Sequence, residues 1–332
     1  MAANKNPRSQ EPNDDLPLVY VHRQTSFGLP LKDRLVNHFR LVDPCDCDST
    51  HKPIDTSLSN SVRALVVIGY TPLTSETLSF LPSLELVVGS SAGLDKVDLQ
   101  ECHRRGIVVT NASLAFSEDA ADYAMALLLD VLRRISAAER YIRGRMWPVK
   151  GDYRLGSKLR GKRAGIVGLG AIGSEVAKRL MAFGCTIAYN SRKKKPSVLF
   201  PFYSTVCDLA ANSDILIITC SLTPKTRHIV NKDVMTALGS EGLIINVGRG
   251  ALIDQEELVQ FLMRGNIYGA GLDVFENEPH VPEELFALEN VVLSPHRAVL
   301  TPESLEAVQE LIFTNLKAFF SNEPLRSVVH IE

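Results

Sequence analysis

The sequence predicts an α/β protein built from two doubly wound parallel sheets, with one domain inserted in the other. Short β-branched runs alternate with helical patterns along nearly the whole chain, which is typical of parallel sheets covered on both faces. One long apolar helix interrupts the alternation, which then restarts, so we expect two sheets. A length of 332 residues suits two domains, and a composition of 45% hydrophobic and 22% charged residues suits a folded protein.

The first sheet is predicted from four short strands with helical stretches between them. The strands are Leu18–Val21, Ala64–Ile68, Leu86–Gly89 and Ile107–Thr110, and the helices include Ser75–Leu81 and Lys96–Arg104.

A long helix is predicted next. Ser117 is a candidate N-cap, and Glu118 and Asp119 would lie in the first turn, where carboxylates complement the helix dipole. The segment Ala120–Ile135 is mostly apolar, so we expect this helix to be buried. A loop rich in glycine and arginine, Gly144–Gly161, then leads to the second sheet.

The second sheet is predicted from six further strands. They are Arg163–Val167, Thr186–Tyr189, Ile215–Cys220, Leu243–Val247, Gly269–Asp273 and Val291–Leu293. A closing helix should run from about Pro302 to Phe320, because Thr301 can cap it and Pro302 suits a first turn. Since this helix has to pack somewhere, we expect it to return to the first domain, which makes that domain discontinuous.

The composition disfavours several classes of partner. The net charge of −2 gives no basic field for nucleic acid, and no apolar stretch reaches the ~20 residues of a membrane span. Cys45, Cys47 and His51 lack the spacing of a zinc site, so no metal is predicted. Residues 1–15 are expected to be a disordered tail without a targeting signal, and the cytoplasm is the expected compartment.

A glycine-rich turn between a strand and a helix predicts a dinucleotide site. It comprises Gly168, Leu169, Gly170, Ala171, Ile172 and Gly173. Gly168 allows a tight turn, Gly170 lets backbone approach a pyrophosphate, and Gly173 lets helix and strand pack closely. The helix N-terminus supplies N–H groups for the phosphates. An ordinary tight turn is the alternative, but strand, glycines and helix come in the order of a Rossmann-type site.

The end of the next strand predicts the cofactor. An enzyme that uses NAD usually has Asp or Glu there to bind the ribose 2′-hydroxyl, whereas this chain has Ser191, Arg192 and Lys193 after Tyr189. Arg192 can fork or stack on a 2′-phosphate, Ser191 can donate to it, and Lys193 adds charge. A solvated basic loop is the alternative. We expect NADPH to be favoured, with NADH a weaker alternative.

Three segments that follow late strands carry reactive side chains, at the sheet edge where α/β proteins bind ligands. Arg249 lies between two glycines, and its planar fork suits a carboxylate and the adjacent keto oxygen. His296 has the intrinsic acidity needed to protonate an alkoxide formed by hydride transfer. Glu278 could fix the tautomer of His296 and stabilise its imidazolium. Each residue alone has a structural alternative, such as a salt bridge or a surface loop.

At these residues the sequence resembles the D-isomer-specific 2-hydroxyacid dehydrogenase family. The resemblance covers about Val62 to Phe320, and within the family it is similar to the plant-type glyoxylate/hydroxypyruvate and hydroxyphenylpyruvate reductases. The motifs that carry it are GLGAIG at Gly168–Gly173, NVGRGALID at Asn246–Asp254, GAGLDVFENEP at Gly269–Pro279, and HVPEELFALENVVLSPH at His280–His296.

The resemblance implies a role for five of these residues. Arg249 would bind and polarise the substrate, His296 would donate the proton, and Glu278 would pair with His296. Asp273 would face the nicotinamide carboxamide, and Val247 would supply backbone contacts there. The implied reaction is reduction of small 2-keto acids (glyoxylate, hydroxypyruvate or hydroxyphenylpyruvate) to D-2-hydroxy acids. Residues 16–116 with 300–332 would bind substrate, and residues 117–299 would form the NAD(P)-binding domain.

In the first domain, the segment after the strand Leu86–Gly89 resembles the family's substrate loop. Its small residues expose backbone N–H groups, and Ser91, Ala92 and Gly93 would hold the substrate carboxylate. A simple turn is the alternative.

A homodimer is also expected. Trp147 lies in a segment, Arg143–Leu155, that resembles the family's dimerisation arm. Apolar residues also cover more of the Ala120–Ile135 helix than one domain could bury.

One departure from the family's pattern bears on the substrate. Arg297 follows the histidine, where the family commonly has glycine, so the substrate could differ. A phosphoglycerate-type dehydrogenase and a dinucleotide-sensing protein similar to transcriptional corepressors are the alternative functions. Formate dehydrogenases have Gln where Glu278 stands and are set aside.

Overall fold

A computed structural model describes residues 15–24, 30–44 and 56–330. The chain divides into two compact units. The discontinuous unit consists of the described residues up to Ala112 and those from Glu306 on, and the inserted unit is Ser113–Leu305. The possible metal ligands Cys45, Cys47 and His51, and most of the predicted tail, lie outside the described residues.

The discontinuous unit contains a five-stranded parallel sheet in the order β2-β1-β3-β4-β5. Its strands are β1 (Leu18–His22), β2 (Arg40–Val42), β3 (Ala64–Val67), β4 (Leu86–Gly89) and β5 (Val108–Thr110). Its first helices are α1 (Pro30–Leu35), α2 (Thr56–Ser59), α3 (Ser75–Ser79) and α4 (Leu99–Arg104). The four predicted strands are confirmed. β2 was not predicted because three residues are too few to show a strand pattern.

The inserted unit contains a six-stranded parallel sheet in the order β11-β10-β9-β8-β6-β7. Its strands are β6 (Arg163–Val167), β7 (Thr186–Asn190), β8 (Ile215–Ile218), β9 (Leu243–Asn246), β10 (Gly269–Leu272) and β11 (Val291–Leu293). Its helices are α5 (Ser113–Arg133), α6 (Ile135–Arg143), α7 (Trp147–Lys150), α8 (Ala171–Ala182), α9 (Val206–Ala211), α10 (Lys232–Leu238) and α11 (Gln255–Met263). All six predicted strands are present, so the two doubly wound sheets are confirmed.

The long helix α5 is buried as predicted, but its predicted ends were wrong. Ser117 is not an N-cap: it lies inside the helix, where its hydroxyl donates to Leu114 O at 3.3 Å. The helix begins at Ser113, about a turn earlier, and Phe116 in this turn packs into the core at 6% exposure. It ends at Arg133, because Arg134 adopts a left-handed conformation with φ of 56°. α5 packs on α8 and on β9, β10 and β11 within the inserted unit.

The last helix, α12 (Pro302–Phe320), starts as predicted, with Thr301 Oγ1 accepting from Ser304 N at 3.0 Å. Most of it belongs to the discontinuous unit, where Phe313 and Phe320 stack edge-on or tilted on the buried Phe39. We expected the domain to change at 299/300, whereas the units divide within α12. Within the described ranges, no helix is long and apolar enough to cross a membrane.

Candidate functional site

The glycine-rich turn lies where the strand order of the inserted sheet reverses. β6 pairs with β7 on one side and with β8 on the other, and the turn Gly168–Gly170 connects the end of β6 to α8. Open α/β sheets bind ligands in the crevice that such a reversal creates.

Sterics within the protein explain two of the three glycines, Gly168 and Gly173. Gly168 has φ of 97°, and a Cβ there would lie 2.5 Å from Cys220 Cα. A Cβ on Gly173 would lie 2.3 Å from Gly168 O. A Cβ on Gly170 would meet no atom of the described residues within 4 Å, so Gly170 faces open space at the N-terminus of α8. This open N-terminus, whose first-turn N–H groups have no partner inside the helix, fits a dinucleotide pyrophosphate.

The two residues that follow β8, Thr219 and Cys220, contact the glycine-rich turn and hold it in place. Thr219 Oγ1 donates to Gly168 O at 2.7 Å. Burial raises the pKa of the Cys220 thiol to about 12, so this thiol stays protonated and packs as a small apolar group. Leu169 is 2% exposed, whereas Ala171 and Ile172 are half-buried at the start of α8. Leu169 therefore offers a ligand only its backbone.

The basic segment follows β7, next to the glycine-rich turn. Tyr189 is fully buried, and its hydroxyl accepts from Lys195 N at 2.8 Å, so the segment folds back over the tyrosine. Ser191 is half-buried and its hydroxyl donates to Lys193 O at 2.7 Å, while Arg192 and Lys193 are exposed. A phosphate could reach these cations directly, but Ser191 would have to rotate to donate to it.

The loop after β9 holds Arg249 beside Val247, which is 7% exposed. Asn246 is fully buried; its Nδ2 donates to Arg249 O at 2.9 Å, and its Oδ1 accepts from Gly248 N at 3.0 Å. A Cβ on Gly250 would lie 1.9 Å from the carbonyl carbon of Phe275, so only glycine lets this loop touch the loop after β10. The Arg249 loop and the next loop are therefore packed backbone to backbone.

His296 and Glu278 form a direct pair. His296 Nδ1 lies 2.7 Å from Glu278 Oε2, and the side chains are 18% and 34% exposed. Glu278 Oε1 accepts from Phe275 N at 3.0 Å, which fixes the carboxylate. Nδ1 is therefore engaged with Glu278, and the arrangement orients the imidazole ring.

The pKa of Glu278 is lowered. Burial acts to raise this pKa, but the hydrogen bonds from His296 and from Phe275 N, with the charges of His296 and Arg249, outweigh it. The carboxylate therefore stays ionised throughout the neutral pH range and presents a negative charge to the imidazole.

Asp273 organises the loop that carries His296. It is fully buried, and its carboxylate accepts from Ser294 Oγ at 2.6 Å, Arg297 N at 2.8 Å and Ala298 N at 2.9 Å. Its carbonyl accepts from His296 N at 2.8 Å, and His296 has a left-handed φ of 52°. These bonds hold His296 in a conformation that L-residues rarely adopt. The predicted contact of Asp273 with a carboxamide stays a prediction.

The unusual Arg297 fits this loop without disturbing it. Its side chain is exposed, and its bond to Asp273 comes from the backbone N–H, which most residue types could supply.

The loop after β10 has a second carboxylate, Glu276, with other partners. Glu276 Oε1 lies 2.9 Å from His228 Nε2 and also accepts from the Arg227 guanidinium. Two basic side chains thus engage Glu276, while Glu278 pairs with His296.

The predicted substrate loop lies in the discontinuous unit, directly after β4. Ser91, Ala92 and Gly93 are half-buried. Gly69 N donates to Ser90 Oγ at 2.8 Å, and Ser91 Oγ donates to Gly69 O at 3.0 Å, so the loop is tied to the loop after β3.

Sequence reasoning missed three supporting residues: Asn246, Thr219, and Asp273 in its role as an acceptor for the His296 loop. One signal was available for Asn246, because an Asn side chain often accepts from the N–H two residues further on in a turn. Nothing in the sequence marks Thr219 or the partners of Asp273, since both depend on neighbouring strands.

Comparison with known proteins agrees with this geometry. Residues 125–298 match the model of the D-isomer-specific 2-hydroxyacid dehydrogenase NAD-binding domain. A glyoxylate/hydroxypyruvate reductase of Arabidopsis thaliana is 53% identical over 95% of this chain and 98% of its own length. A hydroxyphenylpyruvate reductase of Plectranthus scutellarioides is 48% identical over 82% of this chain and 86% of its own.

A solved structure is similar throughout. It is an NADPH-dependent glyoxylate/hydroxypyruvate reductase from Sinorhizobium meliloti, in complex with NADP and malonate. It is 38% identical, with a TM-score of 0.82 over 94% of this chain and 96% of its own. The two relatives and the solved structure match both units of the chain. This chain therefore belongs to the D-isomer-specific 2-hydroxyacid dehydrogenase family, a family of oxidoreductases.

Proposed function

We propose that the protein is an NADPH-preferring reductase of small 2-keto acids, with glyoxylate and hydroxypyruvate as the main substrates and D-2-hydroxy acids as products where the product is chiral. The pairing of His296 with Glu278 at 2.7 Å carries the proposal, because it supplies an oriented acid at the edge of a dinucleotide-binding sheet. The reductases named above, including the NADPH-dependent one, support the substrate class and the cofactor.

Arg249 is the proposed substrate-polarising residue. Its fork suits the substrate carboxylate and keto oxygen, and its loop is braced by Asn246 and by contact with Phe275. A positive charge beside the keto oxygen stabilises the negative charge that develops there. The bound reduced nicotinamide would supply the hydride to the keto carbon.

His296 is the proposed proton donor. With Nδ1 engaged by Glu278, Nε2 is the ring nitrogen assigned to protonate the substrate oxygen. The ionised Glu278 stabilises the imidazolium before transfer and keeps the ring oriented after it.

The remaining site residues bind the two ligands. Ser91, Ala92 and Gly93 are proposed to hold the substrate carboxylate with backbone N–H groups. The turn from Gly168 to Gly173 is proposed to hold the pyrophosphate, with Val247 and Asp273 at the nicotinamide. Ser191, Arg192 and Lys193 are proposed to select the 2′-phosphate, which the absence of an acidic residue from Tyr189 to Lys195 supports.

A panel of keto acids tests the proposal. Purified protein is assayed with glyoxylate, hydroxypyruvate, hydroxyphenylpyruvate and a phosphorylated hydroxypyruvate, each with NADPH and with NADH. We expect the highest kcat/KM for glyoxylate or hydroxypyruvate with NADPH. Preference for the phosphorylated acid would favour a phosphoglycerate-type dehydrogenase. NADPH binding without any turnover would favour a dinucleotide-sensing protein.

A symmetric homodimer is part of this proposal. α5 is covered largely within its own unit, so the support now comes from the arm Arg143–Leu155. Trp147, Val149 and Leu155 on this arm are 57%, 77% and 92% exposed, which is costly for apolar side chains unless a partner covers them. Sedimentation equilibrium should give twice the monomer mass at micromolar concentration, and a monomer would contradict the dimer.

The cytoplasm stays the expected compartment, which microscopy of a fluorescent fusion can check.

A further inference from the structure

The carbonyl groups of the substrate loop are held from one side. Ser91 O accepts from Ala112 N at 3.0 Å, and Ala92 O accepts from Asn111 Nδ2 at 3.1 Å. Both donors belong to the segment that directly follows β5, so two consecutive carbonyls of the loop point toward that segment.

The direction of these carbonyl groups also fixes the direction of the neighbouring N–H groups. In a trans peptide unit the C=O and the following N–H lie in one plane and point in opposite directions. Ala92 N–H shares its plane with Ser91 O, and Gly93 N–H shares its plane with Ala92 O. Fixing the two carbonyls toward β5 therefore turns both N–H groups toward the other side of the loop.

These two N–H groups have no acceptor among residues 15–24, 30–44 and 56–330. Backbone donors need a partner, and consecutive N–H groups that point the same way form a concave site for an anion. The orientation that Asn111 and Ala112 impose is thus the one that binding a carboxylate requires.

Asn111 itself is fixed from the opposite side. Its backbone N donates to Ser327 O at 3.2 Å, and Val329 N donates to Val109 O at 2.8 Å, so the C-terminal segment lines the outer edge of β5. Gly89 allows the close approach on the inner side, because a Cβ there would lie 3.1 Å from Thr110 O. The backbone of Asn111 is therefore held in place, and its side chain reaches Ala92 from this fixed position.

Only one of the two hydrogen bonds to the loop carbonyls can be removed by replacing a side chain. The bond to Ser91 O comes from the backbone of Ala112, whereas the bond to Ala92 O depends on the Asn111 side chain. We propose that Asn111 is a positioning residue for carboxylate binding, acting through Ala92 and Gly93 rather than by touching the substrate. This inference rests on the proposed function, in which the loop holds the substrate carboxylate.

Asn111→Ala tests the inference, with Asn290→Ala as matched control. Asn290 Nδ2 also donates to a backbone carbonyl, Tyr268 O, at the same 3.1 Å, but in the inserted unit. For Asn111→Ala we expect KM for the keto acid to rise about tenfold, and the inhibition constant of oxamate, an unreactive 2-keto acid analogue that keeps the carboxylate, to rise equally. The KM for NADPH should stay as in wild type, and Asn290→Ala should change none of these constants.

An uncharged substrate separates positioning from general damage. A glyoxylate ester keeps the reactive carbonyl but lacks the carboxylate, so Asn111→Ala should reduce it as efficiently as wild type does. Equal losses for acid and ester would overturn the inference, as would wild-type constants for the acid.

Asn111→Asp covers the case in which the alanine variant does not fold. It keeps the size of the side chain, removes the donor and adds a negative charge, so oxamate should bind more than tenfold more weakly. Wild-type affinity for oxamate in this variant would overturn the inference. If the wild-type protein reduces no keto acid, the proposed function fails instead, and calorimetry of oxamate with the NADPH-loaded protein still measures what Asn111 does.

Discussion

Two regions at the same sheet edge of the inserted unit carry charged side chains, but they hold them differently. In the loops after β10 and β11, Asp273 is fully buried and Glu278 and His296 are paired at 2.7 Å. In the segment after β7, Arg192 and Lys193 are exposed. Groups bonded by several partners have one arrangement, whereas exposed side chains have many. The pair proposed to transfer the proton is therefore fixed by the fold, while the contacts proposed for the 2′-phosphate depend on exposed side chains.

The largest effect is expected at the pair of His296 and Glu278. His296→Ala should lower kcat by ~10²–10⁴, the contribution of a general acid. NADPH should still bind, because the glycine-rich turn is untouched. Steady-state kinetics and fluorescence titration with NADPH measure the two quantities.

The backbone of His296 requires a control. Its φ of 52° suits Asn better than Ala, so His296→Asn separates backbone strain from loss of the acid. Wild-type kcat in either variant would remove His296 from the mechanism.

The next effect concerns the charge of Glu278. Glu278→Gln keeps the shape but removes the charge that stabilises the protonated imidazole, so reduction should lose its activity at a lower pH than in wild type. The pH profile of kcat measures this shift. Glu276→Gln is the matched control, because Glu276 is engaged by Arg227 and His228, and its profile should match wild type. If the profile of Glu278→Gln matches wild type, Glu278 does not influence proton transfer.

The lowered pKa of Glu278 also makes the free energy of unfolding depend on pH in the acid range. Stabilisation from a carboxylate of lowered pKa is fully present above the unfolded value, about 4.3 for Glu, and is lost as pH falls through the lower folded value. In Glu278→Gln this part of the acid unfolding transition should disappear.

A smaller, structural effect is expected at Asp273. In Asp273→Asn the amide nitrogen would face a backbone N–H in either orientation, because Arg297 N binds Oδ1 and Ala298 N binds Oδ2. We expect a loss of about 1.5–3 kcal/mol in unfolding free energy, measured by urea titration. Ser294→Ala removes only one donor and should cost about 1 kcal/mol. Equal stability of wild type and Asp273→Asn would show that these bonds do not hold the loop.

The same contrast explains what the sequence could predict. Strands, the glycine-rich turn and the residues Arg249, Glu278 and His296 are marked by local patterns, because strand ends and turn glycines impose local constraints. The bonds of Asp273 and Asn111 were not predictable, since each joins segments that only the folded sheet brings together. The end of α5 was also missed: the break at Arg134 accompanies a bond from Ser136 N to the Asp130 carboxylate, at 2.8 Å, which no periodic pattern reveals.

The smallest effect is expected in the exposed region. Arg192→Ala should raise KM for NADPH about tenfold and leave KM for NADH nearly unchanged, because only NADPH has the 2′-phosphate that a charge-assisted bond from Arg192 would hold. Lys194→Ala is the matched control: this neighbouring cation is also exposed and has no proposed contact, so its loss should change both constants only slightly. Raising the salt concentration should weaken NADPH binding more in wild type than in Arg192→Ala, since exposed charges are screened. If both cofactors lose equally, or if Lys194→Ala has the same effect, Arg192 contributes general surface charge and the 2′-phosphate is selected elsewhere.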